Sequence, residues 1–269
     1  MKENLFSLEG KVALVTGAAG LLGREHCIAL SNAGANVVAV DLSGERISEL
    51  ARSLPTDSIA LEMNVTQKDS VESVLGSILA RFDHLDILVN NAAINEKFEN
   101  PEQARVDSQF ENFSLEAFDQ MLRVNVLGVF LCSQIFGHQM VQQGRGSIIN
   151  IASTYGVVAP DQSLYIDASG AQSFYKSPAY PTTKSAVIGL TRYLAAYWGK
   201  SGVRTNSLSP GGVENAQDSY FVEKYSQKTP VGRMAMPTDF AGGLVYLASD
   251  ASAYVNGANL MVDGGFTVW

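Results

Sequence analysis

The stretch KVALVTGAAGLLG, residues 11–23, is a short apolar run that ends in a glycine-rich turn. Val12–Thr16 has the composition of a buried strand, and residues with helical period follow Gly23. A glycine-rich turn between a first strand and a first helix lets backbone N–H groups and the positive helix end approach a pyrophosphate. The spacing here is G-x-x-G-x-x-G, not G-x-G-x-x-G. Taken alone, the turn is therefore as consistent with a structural role as with a nucleotide site.

Beyond this stretch, short β-branched runs alternate with longer segments of helical period, as in repeated βαβ units of a parallel sheet. We predict seven strands: Val12–Thr16, Asn36–Val40, Ile59–Met63, Ile87–Val89, Ser147–Ile151, Val203–Leu208 and Leu260–Val262. Helices are predicted at about residues 21–33, 44–53, 67–81, 114–143, 179–199 and 238–248. The predicted fold class is therefore α/β: one Rossmann-like, doubly wound parallel sheet with helices on both faces, in a single domain over residues 1–269.

Two polar stretches that follow predicted strands, residues 95–113 and 155–177, are too long for ordinary connections. Long loops in a compact domain are usually functional or mobile, and ligands of such sheets bind beyond the carboxyl ends of the strands. We therefore expect both insertions on the ligand-binding face. Their polar side chains suit either a hydroxyl-rich ligand or a solvated loop: Asn95, Glu96, Glu99, Asp161, Gln162, Asp167 and Gln172. A third segment, residues 214–236, is predicted to be a substrate lid.

The charge balance argues against several classes of partner. Nineteen Lys and Arg stand against 27 Asp and Glu, a formal net charge of −8 without a basic run. Such a chain is not expected to bind nucleic acid or an anionic membrane surface. No apolar run reaches the ~20 residues that cross a bilayer, and the N-terminus shows no signal-peptide pattern. We therefore expect a cytoplasmic protein.

The cysteines and histidines do not suggest a metal or redox site. Cys27 and Cys132 each lie in an apolar, helical context, so we expect buried free thiols of a reducing compartment. His26, His84 and His138 are far apart and lack ligand spacing, so no metal site is expected.

Asp41 strengthens the interpretation of the glycine turn. It follows the second predicted strand, 18 residues after Gly23. An acidic side chain there accepts hydrogen bonds from an adenosine ribose and repels a 2′-phosphate. Leu42 beside it offers no cation, and the nearby Arg24 and Arg46 are more simply explained as surface helix charges. The sequence therefore favours NAD over NADP as the cofactor.

Tyr180 and Lys184 stand four residues apart at the start of a predicted helix, hence on one face of it. They come after the predicted strand 147–151, beyond which Ser153 faces the same cleft. A free tyrosine titrates at about 10, too high for a base at neutral pH. A cation at roughly 4 Å, with an effective dielectric constant of about 20, contributes about 4 kcal/mol, or about three pK units. The pair is therefore a candidate acid–base catalyst.

Over nearly the whole chain, these motifs resemble the short-chain dehydrogenase/reductase family in its compact single-domain form. Seven ordered motifs carry the resemblance: Thr16-Gly17…Gly23, Asn90–Ala93, Asn125–Gly128, Ser153, Tyr180…Lys184, Pro210–Val213 and Val255–Gly265. The chain departs from the family pattern at Leu21, where the second glycine is usual. The interval of 27 residues from Ser153 to Tyr180 is also about twice the usual one, so these two residues meet only if residues 155–177 loop out.

The resemblance implies a role for each catalytic residue. Tyr180 would be the general acid/base, Ser153 would hold the substrate oxygen, and Lys184 would lower the pKa of the phenol and bind the nicotinamide ribose. Asn125 would anchor a water that links Lys184 to solvent. The implied cofactor contacts are Gly17, Gly20, Leu22, Gly23, Asp41, Leu42, Asn64, Val65, Asn90, Ala92, Tyr180, Lys184, Pro210, Gly211 and Val213. Among them, Asn90 would support the adenosine side of the cofactor pocket, and Val213 would contact the nicotinamide amide.

The expected function is therefore an NAD(H)-dependent oxidoreductase that interconverts a secondary alcohol and a ketone. The substrate is expected to be a sugar, a polyol or a sugar-derived hydroxy acid. The alternative function within the family is that of a 3-oxoacyl-[acyl-carrier-protein] reductase. A catalytically idle dinucleotide-binding sensor or assembly subunit is the alternative of another class. The resemblance also implies a homo-oligomer, a dimer or tetramer paired through helices 114–143 and 179–199, where Gly128, Ala195 and Ala196 would permit close approach.

Overall fold

The computed structural model describes residues 4–95 and 101–269. Within these residues, seven strands form one sheet in the order β3-β2-β1-β4-β5-β6-β7, with every neighbouring pair parallel. The strands are β1 Val12–Thr16, β2 Asn36–Asp41, β3 Ile59–Glu62, β4 Ile87–Asn90, β5 Gly146–Ile151, β6 Val203–Pro210 and β7 Asn259–Val262. The predicted fold class is confirmed. Each predicted strand overlaps an observed strand, and their ends differ by at most two residues.

Helices cover both faces of this sheet. They are α1 Leu21–Asn32, α2 Gly44–Ser53, α3 Lys68–Phe82, α4 Pro101–Asp107, α5 Leu115–Leu122, α6 Gly128–Gln143, α7 Ala179–Trp198, α8 Ser219–Lys228 and α9 Ala241–Ala248. Alternate side chains of β1 enter two different cores: Ala13 and Val15 pack in the core that contains residues of α1 and α9, whereas Leu14 packs in the core of α3 and α6. Strands buried on both faces read as continuous apolar runs, which is why the sequence located them so closely.

The helices differ from the predictions at three places. The predicted helix 114–143 consists of α5 and α6 joined by a π-helical segment, Arg123–Leu127. Helix α4 lies inside the first insertion, and α8 lies inside the predicted lid. For α8 a sequence signal existed, because the side chain of Asp218 caps the helix by accepting a hydrogen bond from the backbone N–H of Tyr220.

The sequence predicts no membrane-spanning segment, but by length and composition alone the continuous helical run Leu115–Gln143 is apolar enough to cross a membrane. However, 44 % of its most apolar window is buried inside the protein. Phe136 and Met140 are fully buried in the core beneath the sheet. We therefore interpret the run as a core helix.

The two cysteines are free and buried, as predicted. Burial raises the pKa of both Cys27 and Cys132 to about 12. Because the thiolate is the reactive form of cysteine, neither residue is an activated nucleophile.

Candidate active site

A cleft made of two adjoining cavities lies at the carboxyl ends of the strands. The first cavity has a volume of about 630 Å³ and the second about 360 Å³. They meet at Leu22, Asn91 and Ala93, which line both. The carboxyl edge of an open parallel sheet is where dinucleotides bind, and a cleft with two lobes fits the two halves of such a ligand.

The glycine turn forms one wall of the second cavity, and its backbone leaves no room for side chains. Gly17 has a φ of +66°, and a Cβ atom there would lie 2.8 Å from the Cα atom of Ala92. A Cβ atom on Gly23 would lie 2.1 Å from the carbonyl oxygen of Gly17. Gly20, Leu21 and Leu22 line the same cavity. Leu21, where the family pattern usually has glycine, lines this cavity with its side chain partly exposed.

Asn91, which the sequence analysis did not select, holds this turn in place. Its Nδ2 donates hydrogen bonds to the carbonyl oxygens of Thr16, at 2.8 Å, and Gly17, at 3.1 Å. The Thr16 hydroxyl in turn accepts hydrogen bonds from the backbone N–H groups of Asn91 and Ala92. The segment after β4 is thereby joined to the segment after β1, and Ala92 lines the second cavity as predicted.

The side chain of Asn90 lies inside the protein, away from both cavity linings. Its Nδ2 donates to Ser133 at 3.1 Å and to the Oδ1 of Asn150 at 2.8 Å, and Asn150 donates to Thr191. This buried network links β4 and β5 to α6 and α7. The structure thus places Asn90 behind the cleft, where it supports the sheet. The next residue, Asn91, lines the cavity in which the adenosine half of the cofactor is predicted to bind.

Asp41 lies at the far end of the second cavity with Leu42, Asn64 and Val65. Its carboxylate accepts hydrogen bonds from the backbone N–H of Ala19, at 2.9 Å, and of Leu42, at 2.7 Å. These bonds fix the carboxylate at the cavity rim. No Lys or Arg is among the described residues that line this cavity. The negative charge of Asp41 therefore suits a ribose better than a 2′-phosphate.

Ser153, Tyr180 and Lys184 line the first cavity together. Tyr180 lies in the first turn of α7 and Lys184 one turn later, with its Nζ atom 5.7 Å from the centroid of the Tyr180 ring. The Ser153 hydroxyl oxygen accepts a hydrogen bond from the backbone N–H of Tyr155, which leaves its own proton for another acceptor. Three of the four predicted catalytic residues thus line one cavity, and the fourth, Asn125, is not part of its lining.

The second insertion lines the first cavity over much of its length, between Ser153 at its start and Tyr180 beyond its end. The 3₁₀ turn Thr154–Gly156 packs directly on α7, where a Cβ atom on Gly156 would lie 3.0 Å from the carbonyl group of Lys184. The Ser185 hydroxyl donates a hydrogen bond to the carbonyl oxygen of Gly156. This close approach holds the turn after Ser153 against α7, so Ser153 and Tyr180 line the same cavity despite the long interval between them.

Lys184 is almost completely buried, and its Nζ donates a 2.7 Å hydrogen bond to the carbonyl oxygen of Ile151. Burial lowers the pKa of this ammonium to about 8. A lysine with this pKa remains mostly charged at neutral pH, so it stabilises an adjacent phenolate.

Asn125 lies in the π-helical segment and is buried. Its side chain bonds both backbone groups of Ile94, accepting from the N–H at 2.8 Å and donating to the carbonyl oxygen at 2.9 Å. It also donates to the hydroxyl of Thr183, next to Lys184. Asn125 thus ties the start of the first insertion to the catalytic helix, and π-helical turns of this kind frequently occur at functional sites.

Pro210, Gly211 and Val213 line the first cavity after β6. The turn is held from the lid, because the hydroxyl of Tyr225 on α8 accepts a hydrogen bond from the backbone N–H of Gly212 at 2.7 Å. The lid segment is also closed at its base, where Val213 pairs with Ala235. The turn after β6 and the lid therefore hold each other in place.

The remaining wall of the first cavity is more aromatic than the sequence suggested. The aromatic side chains are Tyr155, Tyr165, Phe174, Tyr220, Phe221 and Tyr225, and the charged or amide side chains beside them are Asn95, Asp167, Lys176, Gln217 and Asp218. Tyr165 joins the second insertion to the lid, with its ring centroid 4.7 Å from that of Phe174 and 5.6 Å from that of Phe221.

Of the polar insertion residues predicted to meet a ligand, Asn95 and Asp167 line this cavity. Asp161 instead pairs with Lys228 of the lid, and the side chains of Gln162 and Gln172 bond the backbone of their own insertion. Their hydrogen-bonding groups are used to shape the loop, which no spacing pattern reveals. Glu96 and Glu99 lie outside the described residues.

Comparison with known proteins agrees with this geometry. A family model described as Enoyl-(Acyl carrier protein) reductase matches residues 17–267. D-threitol dehydrogenase of Mycolicibacterium smegmatis is 37 % identical, with 98 % of this chain and 95 % of the relative covered. The 3-oxoacyl-[acyl-carrier-protein] reductase of Thermotoga maritima is 31 % identical over 97 % and 99 % of the two chains. The crystal structure of a gluconate 5-dehydrogenase from Burkholderia cenocepacia, in complex with NADP and tartrate, is 31 % identical over 99 % and 98 %, with a TM-score of 0.84.

Proposed function

The chain belongs to the short-chain dehydrogenase/reductase family of oxidoreductases, and we propose that it is an NAD-dependent dehydrogenase of polyols, sugars or sugar-derived hydroxy acids. The proposal rests mainly on one observation: a catalytic set of side chains and a carboxylate suited to a ribose lie in adjoining cavities of one cleft. The first cavity holds Ser153, Tyr180 and Lys184, and the adjoining cavity holds the fixed carboxylate of Asp41. The first set handles a hydroxyl proton, and the second suits an unphosphorylated adenosine ribose.

In the oxidation direction, the substrate hydroxyl lies against Ser153, whose proton is available because its oxygen already accepts from the N–H of Tyr155. The phenolate oxygen of Tyr180 takes the hydroxyl proton as the carbonyl forms. Lys184, held by the carbonyl oxygen of Ile151, stabilises that phenolate. The cofactor supplies the hydride acceptor when it is bound. The protein contributes orientation and charge in a site partly closed to water.

The cavity wall supports a small hydroxylated substrate. Asp167 and Asp218 are acidic residues of its lining, although Oδ1 of each also accepts hydrogen bonds from neighbouring backbone N–H groups. The aromatic rings of Tyr220 and Phe221 offer apolar faces to the C–H bonds of a carbon chain. The D-threitol dehydrogenase relative agrees with this class. The same aromatic wall also suits an acyl chain, so 3-oxoacyl thioesters are the second candidate.

A substrate panel tests the proposal. Threitol, glycerol, gluconate and other polyols and sugar acids are offered with NAD and with NADP, and 3-oxoacyl thioesters are offered with NADH and with NADPH, while absorbance at 340 nm is followed. Turnover of a hydroxylated substrate with NAD is expected. Preference for the thioester with NADPH would move the assignment to the second candidate. Tight NADH binding without turnover of any substrate would favour an idle dinucleotide-binding subunit.

Replacing Asp41 by alanine is expected to narrow the preference for NAD over NADP. A hydrogen bond to a charged group contributes about 1.5–3 kcal/mol, so the ratio of kcat/KM values should fall about 10- to 100-fold. Because Asp41 also holds the N–H groups of Ala19 and Leu42, Asp41→Asn serves as the variant that keeps an acceptor. Asp57→Ala, at an exposed pair with Arg81, is the control. An unchanged cofactor ratio in both Asp41 variants would remove this residue from the ribose.

We further propose that the enzyme is a homo-oligomer that pairs through the outer faces of α6 and α7. Gly128 and Ala195 pack inside the protomer, against Val65 and beside Gly257, and so do not serve the interface expected from the sequence. Large apolar side chains are nevertheless exposed on these helices: Leu127, Phe130, Tyr193 and Tyr197. Tyr193 and Tyr197 stack on each other with ring centroids 5.7 Å apart, and exposed apolar side chains that group together usually mark an interaction site.

Light scattering is expected to show a dimer or tetramer of the wild-type protein. The Tyr193→Glu/Tyr197→Glu double variant should shift toward the monomer, since it places charge on the patch. Tyr254→Glu, at a fully exposed tyrosine elsewhere, is the control. A monomeric wild-type protein would contradict the proposal.

A cytoplasmic location, where free thiols such as Cys27 stay reduced, is also part of the proposed function and is tested by cell fractionation.

A further inference from the structure

Lys176 brings a second ammonium group to the ring of Tyr180. Its Nζ atom lies 4.9 Å from the ring centroid, closer than the Nζ atom of Lys184 at 5.7 Å. Lys176 also lines the first cavity with Tyr180 and Ser153. We propose that Lys176 is a positioning residue for proton transfer, whose charge adds to that of Lys184 in favouring the phenolate form of Tyr180. This proposal rests on the proposed function, in which Tyr180 exchanges the hydroxyl proton.

The backbone of Lys176 is held on both sides by one side chain. Gln162 accepts a hydrogen bond from the N–H of Lys176 at 2.8 Å, and it donates one to the carbonyl oxygen of Lys176 at 3.1 Å. The preceding N–H, of Tyr175, donates to the hydroxyl of Ser108, a buried residue that follows α4. A charged side chain that starts from so fixed a backbone is pre-organised, so little entropy is lost in keeping it at the ring.

The ammonium end of Lys176 is held as well. Its Nζ donates a 2.8 Å hydrogen bond to the Oδ1 of Asn95, five residues beyond β4. Asn95 begins the first insertion and Lys176 nearly ends the second, so the two insertions meet at the catalytic tyrosine. Both insertions therefore act on the reaction through this contact, besides covering the cavity.

Within the described residues, the charged and titratable groups around Tyr180 come from several elements. Helix α7 contributes Lys184, the second insertion contributes Lys176, and the turn after β5 contributes Tyr155, whose pKa burial raises well above its ordinary value. Asp167 and Asp218 line the same cavity from the second insertion and the lid. An opposite charge within about 4–6 Å favours the charged form of a group. Since burial lowers the pKa of Lys184 to about 8, a second cation makes the phenolate less dependent on Lys184 alone.

The test is the pH profile of alcohol oxidation. In Lys176→Met, the inflection of kcat/KM that reports the base is expected to move upward by about one pH unit. Lys176→Arg keeps the charge and should restore the wild-type inflection. Lys200→Met, at an exposed lysine beyond α7, is the control and should leave the profile unchanged. An inflection that stays in place in Lys176→Met would overturn the proposal.

A second measurement is independent of turnover. The phenol of Tyr180 is titrated by NMR in protein labelled with ¹³Cζ-tyrosine, and its signal is assigned by its loss in Tyr180→Phe. The proposal expects a higher titration midpoint in Lys176→Met than in the wild type, and equal midpoints would overturn it. Because no substrate is needed, this result stands even if the panel shows no dehydrogenase activity.

If Lys176→Met does not fold, Asn95→Ala replaces it in both measurements. This variant keeps the charge of Lys176 but removes one acceptor of its Nζ, the Oδ1 of Asn95. The midpoint should then rise by a smaller amount in the same direction. A midpoint equal to that of the wild type would again overturn the proposal.

Discussion

Tyr180→Phe is expected to lower kcat by about 10³-fold, with NADH binding nearly unchanged. The substitution removes only the oxygen that takes the hydroxyl proton, and general acid–base catalysis contributes about 10²–10⁴-fold. Ser153 and Lys184 keep their backbone partners, Tyr155 and Ile151, in the variant. Ground-state binding of the cofactor therefore has no reason to change. Steady-state kinetics gives kcat, and quenching of protein fluorescence gives the dissociation constant of NADH.

Tyr193→Phe is the matched control, because it removes the same oxygen from an exposed tyrosine of the same helix. It should retain wild-type kcat. Thermal unfolding of both variants shows whether α7 remains intact. Wild-type turnover in Tyr180→Phe would refute the role of the phenol, and with it the proposed mechanism.

Gly23→Ala is expected to weaken NADH binding by about 100-fold or more and to destabilise the protein by about 1–3 kcal/mol. The new Cβ atom would lie 2.1 Å from the carbonyl oxygen of Gly17 and 2.9 Å from the Cα atom of Ala18. Both neighbours are backbone atoms, so the start of α1 has to move away from the turn. That movement displaces the N–H groups which would face a pyrophosphate. Calorimetric titration with NADH and denaturant unfolding measure the two effects.

Two further alanine variants separate this clash from a general effect of replacing glycine. A Cβ atom on Gly20 meets its nearest described neighbour at 3.3 Å, so Gly20→Ala should cause a much smaller loss of affinity. A Cβ atom on Gly76, inside α3, meets no described atom within 4 Å. Gly76→Ala should stabilise the helix by roughly 0.5–1 kcal/mol and leave binding unchanged. Normal NADH affinity in Gly23→Ala would contradict the packing described for the turn.

The sequence predicted the sheet well because buried parallel strands leave continuous apolar runs. It missed α8, whose sequence is polar on one side and aromatic on the other, although Asp218 supplied a capping signal. It also treated residues 114–143 as one regular helix, because the π-helical segment at Arg123–Leu127 does not change the apolar composition. Composition and periodicity report burial, and they do not report a shift in hydrogen-bond register.

Some side chains of the cleft could likewise be identified from the sequence, and others could not. Tyr180 and Lys184 were identified because both lie on one helix, and Asp41 because it directly ends a strand. Lys176 was not identified, although it is only four residues before Tyr180, because it precedes the helix and its direction depends on Gln162. Between the adjacent residues Asn90 and Asn91, only the structure shows which side chain enters the sheet and which holds the glycine turn.

The positions of the strands along the chain, the glycine turn and the spacing of Tyr180 and Lys184 could be derived from the sequence, because each depends on neighbours within about one turn or one strand. The meeting of the two insertions at Tyr180, the aromatic wall and the place of Asn90 depend on contacts between residues far apart in the chain. Lys176 and Asn95 are 81 positions apart, and Asn90 and Asn150 are 60 positions apart. Those contacts follow from the path that each loop takes over the sheet. The path is set by packing and by hydrogen bonds such as those of Gln162, which leave no periodic pattern in the sequence.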